Sequence, residues 1–178
     1  MGEIDFVTAL GRLLHDVRLR EAFREDRVRT VEGLHVRAAD CQTVLGLVPD
    51  EVEFQARILL KKRLDAIQRF IPITCERLGE GIWTTFVDYS NKISSLSDVT
   101  EDACCFAEYV AEAVPAARCS SEVNRLRFAK GRSRFCMRFT RDAGRSMLGG
   151  RALQAFVRWS DGGWKEWRVG IRSYAARR

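Results

Sequence analysis

The hydrophobic positions of this chain recur at two different periods. Up to about residue 130 they fall three and four residues apart, the spacing of one helix face, and beyond residue 132 they alternate. The longest regular stretch is Asp50 to Ser90. There Val52, Ala56, Leu59, Leu60, Leu64, Ile67, Phe70 and Ile71 form an apolar stripe that only Arg63 interrupts. Lys61, Lys62, Asp65, Gln68 and Arg69 fall mostly on the opposite side. Asp50 is placed to cap this helix, with Glu51 and Glu53 in its first turn, where negative charge suits the helix dipole. Pro72 lacks an amide donor and ends the helix at about Ile71. A short helix follows from Thr74 to Gly79. After Gly81, a further helix carries Ile82, Trp83, Phe86, Val87 and Tyr89 on its apolar face.

The flanking segments continue the helical pattern. Residues 5–14 bury Phe6, Leu10, Leu13 and Leu14, and Asp16 caps a second helix with Leu19, Ala22 and Phe23 inward. A short helix then ends at Glu32-Gly33, and another spans Ala38 to Leu45. The polar run after Tyr89 reads as a loop. Thr100 is placed to cap the next helix, which points Ala103, Phe106, Ala107, Val110 and Val114 inward and closes at Pro115. Ser120 or Ser121 caps a last helix, Glu122 to Lys130.

At Arg132 the period changes to two. Phe135, Met137 and Phe139 alternate with Arg134, Cys136 and Arg138, which predicts a strand whose aromatic side faces a core. Leu153, Ala155, Val157 and Trp159 alternate with Gln154, Phe156 and Arg158 in a second strand. Ser160-Asp161-Gly162-Gly163 is a hairpin signal, leading into a third strand from Trp164 to Ile171. The segment 142–150 reads as a glycine-containing loop, and the last residues as a frayed tail. The expected fold class is therefore α+β: an N-terminal helical domain, 1–130, and a small three-stranded antiparallel meander, 131–178, packed on the helices. A meander this small cannot bury both faces by itself.

Composition narrows the function classes. With 178 residues and 46% apolar side chains, the chain is long enough to bury a core. No apolar run spans a bilayer, and the acidic start has no basic signal region, so a cytoplasmic protein without a membrane partner is expected. The six cysteines include no C-x-x-C, and the two histidines show no zinc spacing, so no metal is expected in this chain. The net charge is +6, and nine of the basic residues fall between Arg125 and Arg151 against Asp142 alone. Such a region attracts an anionic partner.

No phosphate loop, dinucleotide fingerprint, nucleophile elbow or H-E-x-x-H motif is present, and no catalytic residue is assigned. The meander carries the informative chemistry. An extended peptide can add to a sheet edge through backbone hydrogen bonds, with side-chain pockets setting its register. Trp159, Trp164 and Trp167 are candidate apolar anchors for such a peptide, and Arg168, Val169 and Ile171 line the same strand. The alternative is nucleic acid. The run RLRFAKGRSRFCMRF interleaves basic and aromatic residues as single-strand binders do, although it contains no helix-turn-helix or RNP motif.

The order of motifs adds a resemblance. A long basic helix with KKRL, then IPIT-x-x-x-LG, then F-x-x-Y resembles the helical part of the MbnC family of methanobactin biosynthesis proteins, and of related TglI-type partner subunits. LGRLLHDVRLREAF upstream and DACCFAEYV downstream stand where that family has comparable helices, so the resemblance covers about residues 5–130. The resemblance implies a helper subunit of a TIM-barrel iron oxidase, MbnB-like. The pair converts cysteines of a small MbnA-like precursor peptide to oxazolone–thioamide groups on the way to a copper chelator. The iron belongs to the partner, and this chain docks the enzyme and the leader peptide. Arg134, Arg138, Trp83, Phe86 and Tyr89 are the expected contacts with the enzyme. Leaders in that family tend to be basic, which directs the arginines toward the enzyme rather than the peptide.

Overall fold

The computed structural model describes residues 2–93, 98–141 and 151–170, with the side chains of Arg141 and Arg151 outside that description. The expected loop at 142–150, Ile171 and the tail also lie outside it. The described chain runs through α1 (Phe6–His15), α2 (Val17–Glu25), α3 (Arg27–Gly33), α4 (Ala38–Leu45), α5 (Pro49–Gln68), α6 (Pro72–Leu78), α7 (Ile82–Lys92), α8 (Val99–Ala113) and α9 (Ser120–Lys130). β1 (Phe135–Arg141), β2 (Arg151–Arg158) and β3 (Trp164–Gly170) follow as an antiparallel sheet in the order β1-β2-β3. The fold is α+β, helices first and a three-stranded sheet last.

By internal packing the chain divides into two compact units, Met1–Leu64 with Ser90–Ser95, and Asp65–Tyr89 with Leu96–Arg178. The change from helix to sheet near residue 131 thus falls inside the second unit, where α9 and the sheet pack together. In the first unit Asp5, Asp16 and Asp26 cap α1, α2 and α3 through their side-chain oxygens. Ala9, Leu13, Phe23, Val31, Leu34, Val36, Val44 and Val52 make its core. Arg20 is buried because its guanidinium has fixed partners. Nη1 donates to the carbonyls of Leu13 and Leu14 at the end of α1, and Nε to Glu53 Oε2 at 2.7 Å.

The second unit is built on aromatic contacts and buried polar pairs. Phe86, Tyr89 and Phe106 pack with ring centroids 5.2–5.8 Å apart, and the Tyr89 hydroxyl donates to Asp102 Oδ1 at 2.6 Å. α5 ends at Gln68, earlier than expected, and Pro72 opens α6 at its first turn, where a missing amide costs nothing. No side chain of the preceding residues caps α6. Its amides at Ile73 and Thr74 donate instead to the fully buried Glu122 of α9, at 2.7 and 2.8 Å, and Thr74 Oγ1 donates to the same carboxylate at 2.6 Å. Three other caps differ from the sequence reading. Asp50 lies inside the first turn of α5, which begins at Pro49, rather than capping it. Asp98, not Thr100, caps α8, and α9 begins after Cys119 without a side-chain cap.

The β2–β3 connection is a three-residue loop. Gly162 N–H donates to Trp159 O, Trp159 N–H donates to Gly163 O, and Gly162 has φ +86°. This is a type I turn closed by a left-handed glycine, whose conformation a Cβ would strain.

Candidate docking surface

Two hydrogen bonds fix which backbone groups of the sheet are internal. Arg158 N–H donates to Arg134 O on the β1 side, and Trp159 N–H donates to Gly163 O on the β3 side. Antiparallel ladders alternate bonded and non-bonded pairs, so even residues of β2 bond β1 and odd ones bond β3. On β3 the amides of Lys165, Trp167 and Val169 therefore point into the sheet. Those of Trp164, Glu166, Arg168 and Gly170 point to its free edge. Among the described residues no strand pairs with that edge.

The same registers sort the side chains onto two faces. One face holds Phe135, Val157 and Lys165 in a row, then Met137, Ala155 and Trp167, then Phe139, Leu153 and Val169. Trp159 extends it, with its ring 6.5 Å from that of Trp167, and Lys165 Nζ lies 5.6 Å from the Trp167 centroid. This face is apolar, and its outer strands are open to solvent: Phe135 is 60% exposed, Met137 55%, Phe139 78% and Val169 60%. Phe135, Met137 and Phe139 thus do not face a core, which corrects the sequence reading.

The face turned to α9 is the more polar one. Gln154 is fully buried, its Nε2 donating to Ser121 O at 3.0 Å and Glu166 Oε1 at 2.8 Å, and its Oε1 accepting from Asn124 at 3.3 Å. Beside it Phe156 stacks on Phe128 at 4.9 Å, and Trp164 closes on both rings. Arg158 lies over Phe128 and donates to the carbonyls of Phe128 and Ala129. These contacts satisfy the end of α9 and occupy the side of the sheet that the alternation pattern assigns to solvent.

The expected site residues separate accordingly. Trp159 and Trp167 stand on the open face with Val169. Trp164 packs toward α9, although it is still 36% exposed. Arg168 offers its backbone at the free edge while its side chain pairs with Glu166. Arg134 and Arg138 are exposed, but Arg138 in β1 and Arg134 immediately before it fall on the face opposite Phe135 and Met137. Trp83 is half-buried. Phe86 and Tyr89 have no exposed surface, so they are core residues and present nothing to a partner. Met137, Phe139 and Leu153 belong to the open surface and were not assigned to it from sequence. Their strict alternation was the available signal, but alternation does not say which face the rest of the chain covers.

Much of the basic run is used internally. Arg125 donates to Phe70 O, Arg127 pairs with Glu108 and Lys130 with Glu101. Among the described residues, no cluster of three or more His, Cys, Asp or Glu side chains is placed to hold a metal. No helix among them is long and apolar enough to cross a membrane. Burial and the nearby Glu122 push the Cys75 thiol up to about 12, and burial with Glu108 pushes Cys104 up to about 11. Both thiols are therefore protonated at neutral pH and poorly nucleophilic. The folded state binds these protons more tightly than the unfolded chain, whose reference is 9.0, so this contribution to stability is intact below about pH 9 and is lost as pH rises toward the folded values. Alkylation of native protein at pH 7.5 is expected to leave Cys75 and Cys104 unlabelled, while the denatured chain labels fully. Rapid native labelling of either, read by peptide mass mapping, would contradict the assignment.

No family model matches this chain, and no curated protein or solved structure matches it.

Proposed function

We propose that this chain is a non-catalytic docking subunit that holds a polypeptide on its C-terminal sheet. The observation that carries the reading is the open apolar face of β1–β3 beside a free β3 edge. Exposed apolar surface of this kind marks interaction sites, and a free edge accepts an added strand. The segregation of charge supports a peptide over nucleic acid. A basic groove with stacking rings needs both on one surface. Here, among the described side chains, the arginines at 134 and 138 lie on the face opposite the exposed aromatics, and Lys165 is the only basic one in the apolar grid.

The finer reading is a helper of an iron-dependent oxidase that modifies cysteines of a ribosomal precursor peptide, as in methanobactin biosynthesis. It rests on the order of KKRL, IPIT-x-x-x-LG and F-x-x-Y. In it the iron and the reaction belong to the partner enzyme, and this chain positions the leader. The test is a titration of the full chain, with and without a co-expressed iron enzyme encoded beside it. The probes are the leader of a neighbouring cysteine-containing peptide and a mixed-sequence single-stranded oligonucleotide, at two salt concentrations. The expected result is leader binding that changes little with salt. Tight oligonucleotide binding that falls steeply with salt, without leader binding, would overturn the reading.

A further inference from the structure

We infer that the free β3 edge pairs with the same edge of a second copy of this chain, antiparallel about Trp167, joining the two three-stranded sheets into one. The inference concerns the edge that the docking reading gives to a leader, but it stands without that reading. An unpaired edge strand is a template for another strand, and a twofold contact sets the same strand on both sides. The amides of Trp164, Glu166, Arg168 and Gly170 point outward, so an added antiparallel strand must set even residues opposite even ones. Pairing about Trp167 does this, and it matches β3 with itself from Trp164 to Gly170. Trp164 then bonds Gly170 of the second copy, and Glu166 bonds its Arg168, each in both directions.

The side chains select this register. Glu166 and Arg168 lie on the α9 side of the sheet, and each meets the opposite charge across the junction. Within one chain, Gln154 and Arg168 both donate to Oε1 of Glu166, and among the described residues Oε2 has no partner. The guanidinium of Arg168 from the second copy supplies one. On the open face Trp167 stands opposite its own copy in a non-bonded pair, where cross-strand side chains come closest, and Lys165 stands opposite Val169. Pairing centred instead on Lys165, Glu166 or Arg168 sets a charge against itself. The β1 edge offers no such match. Because Arg158 N–H bonds Arg134 O, the odd residues of β1 point outward, and pairing β1 end to end with itself places Arg138 opposite Arg138. The β3 contact is one strand wide, at the small end of interface sizes, so dilution releases a monomer whose edge is open. Leader and second copy then compete for that edge.

The test is sedimentation equilibrium of the full chain over a range of concentrations, with melts to show that each variant is folded. The wild type is expected to dimerise reversibly. Arg168→Glu sets a carboxylate against Glu166 and is expected to weaken the dimer at least tenfold. Val169→Glu, at an exposed position, gives Lys165 of the second copy a counter-charge and is expected to tighten it about threefold or more. Packing through the open apolar face predicts the reverse for that variant. Met137→Glu, on the open face but away from the edge, is expected to change the affinity by less than about twofold. Mild oxidation of Trp167→Cys is expected to give a 167–167 cross-link, read by peptide mass mapping. Lys165→Cys, ~14 Å from its own copy along the strand, is expected to give none. A chain that stays monomeric at every concentration, a dimer dissolved by Met137→Glu but not by Arg168→Glu, or a 165–165 cross-link in place of 167–167 would overturn the inference. Added leader is expected to dissociate the dimer. A leader that does not bind, or that binds and leaves the dimer intact, would sink the edge reading and leave this one standing.

Discussion

Glu122→Ala is expected to lower the free energy of unfolding by about 3–5 kcal/mol, since each buried polar group left without a partner costs ~1–3 kcal/mol. The carboxylate accepts from Ile73 N–H, Thr74 N–H and Thr74 Oγ1, and its side chain has no solvent access. Pro72 opens α6, and Ile71 provides no side-chain cap, so nothing local replaces Glu122. α6 and α9 are therefore coupled across 48 and 49 residues of sequence. Glu122→Gln keeps one acceptor and is expected to lose less. Urea denaturation with an unchanged slope is the measurement. A loss below about 1 kcal/mol for the alanine variant would show that water or another side chain satisfies these amides.

The second large effect separates the free edge from the ladder. Arg168→Pro removes an amide that points away from β2, and proline is tolerated at such edge positions. It is expected to weaken leader binding at least thirtyfold while changing stability by less than about 1 kcal/mol, the scale of a surface substitution. Arg168→Ala, which keeps the amide, controls for the side-chain pair with Glu166. Val169→Pro is expected to behave differently. Its amide bonds toward Leu153, so proline there breaks the β2–β3 ladder and unfolds the hairpin rather than only blocking the edge. If Arg168→Pro bound leader as wild type does, strand addition at β3 would be excluded.

The elements of this fold were largely legible because local signals agree with it. Asp16 caps α2, the period changes at Arg132, and Ser160 to Gly163 makes the turn that its glycines suggest. What could not be read depends on covering and on distance. Phe135 and Phe86 are both aromatic residues on regular apolar faces, yet one is 60% exposed and the other fully buried. Periodicity identifies a face but not the body that covers it. The sheet shows this most sharply, since α9 packs on the side carrying Gln154 and Glu166, where Ser121 and Asn124 supply matching polar groups. The cap on α6 was hidden for a related reason. Its acceptor comes from a helix distant in sequence, and no local motif announces it. The arginine run was visible, but its partners at Glu108, Glu101 and the Phe70 carbonyl emerge only from packing.

The most direct test of polypeptide docking on the sheet is residue-resolved amide hydrogen exchange of the full chain, free and in complex with the leader and its enzyme. In the free chain, the amides of Lys165, Trp167 and Val169 are expected to exchange slowly, and those of Trp164, Glu166 and Arg168 quickly. In the complex, Trp164, Glu166 and Arg168 are expected to become protected together. A complex that forms while these three amides still exchange at their free rates would contradict the account.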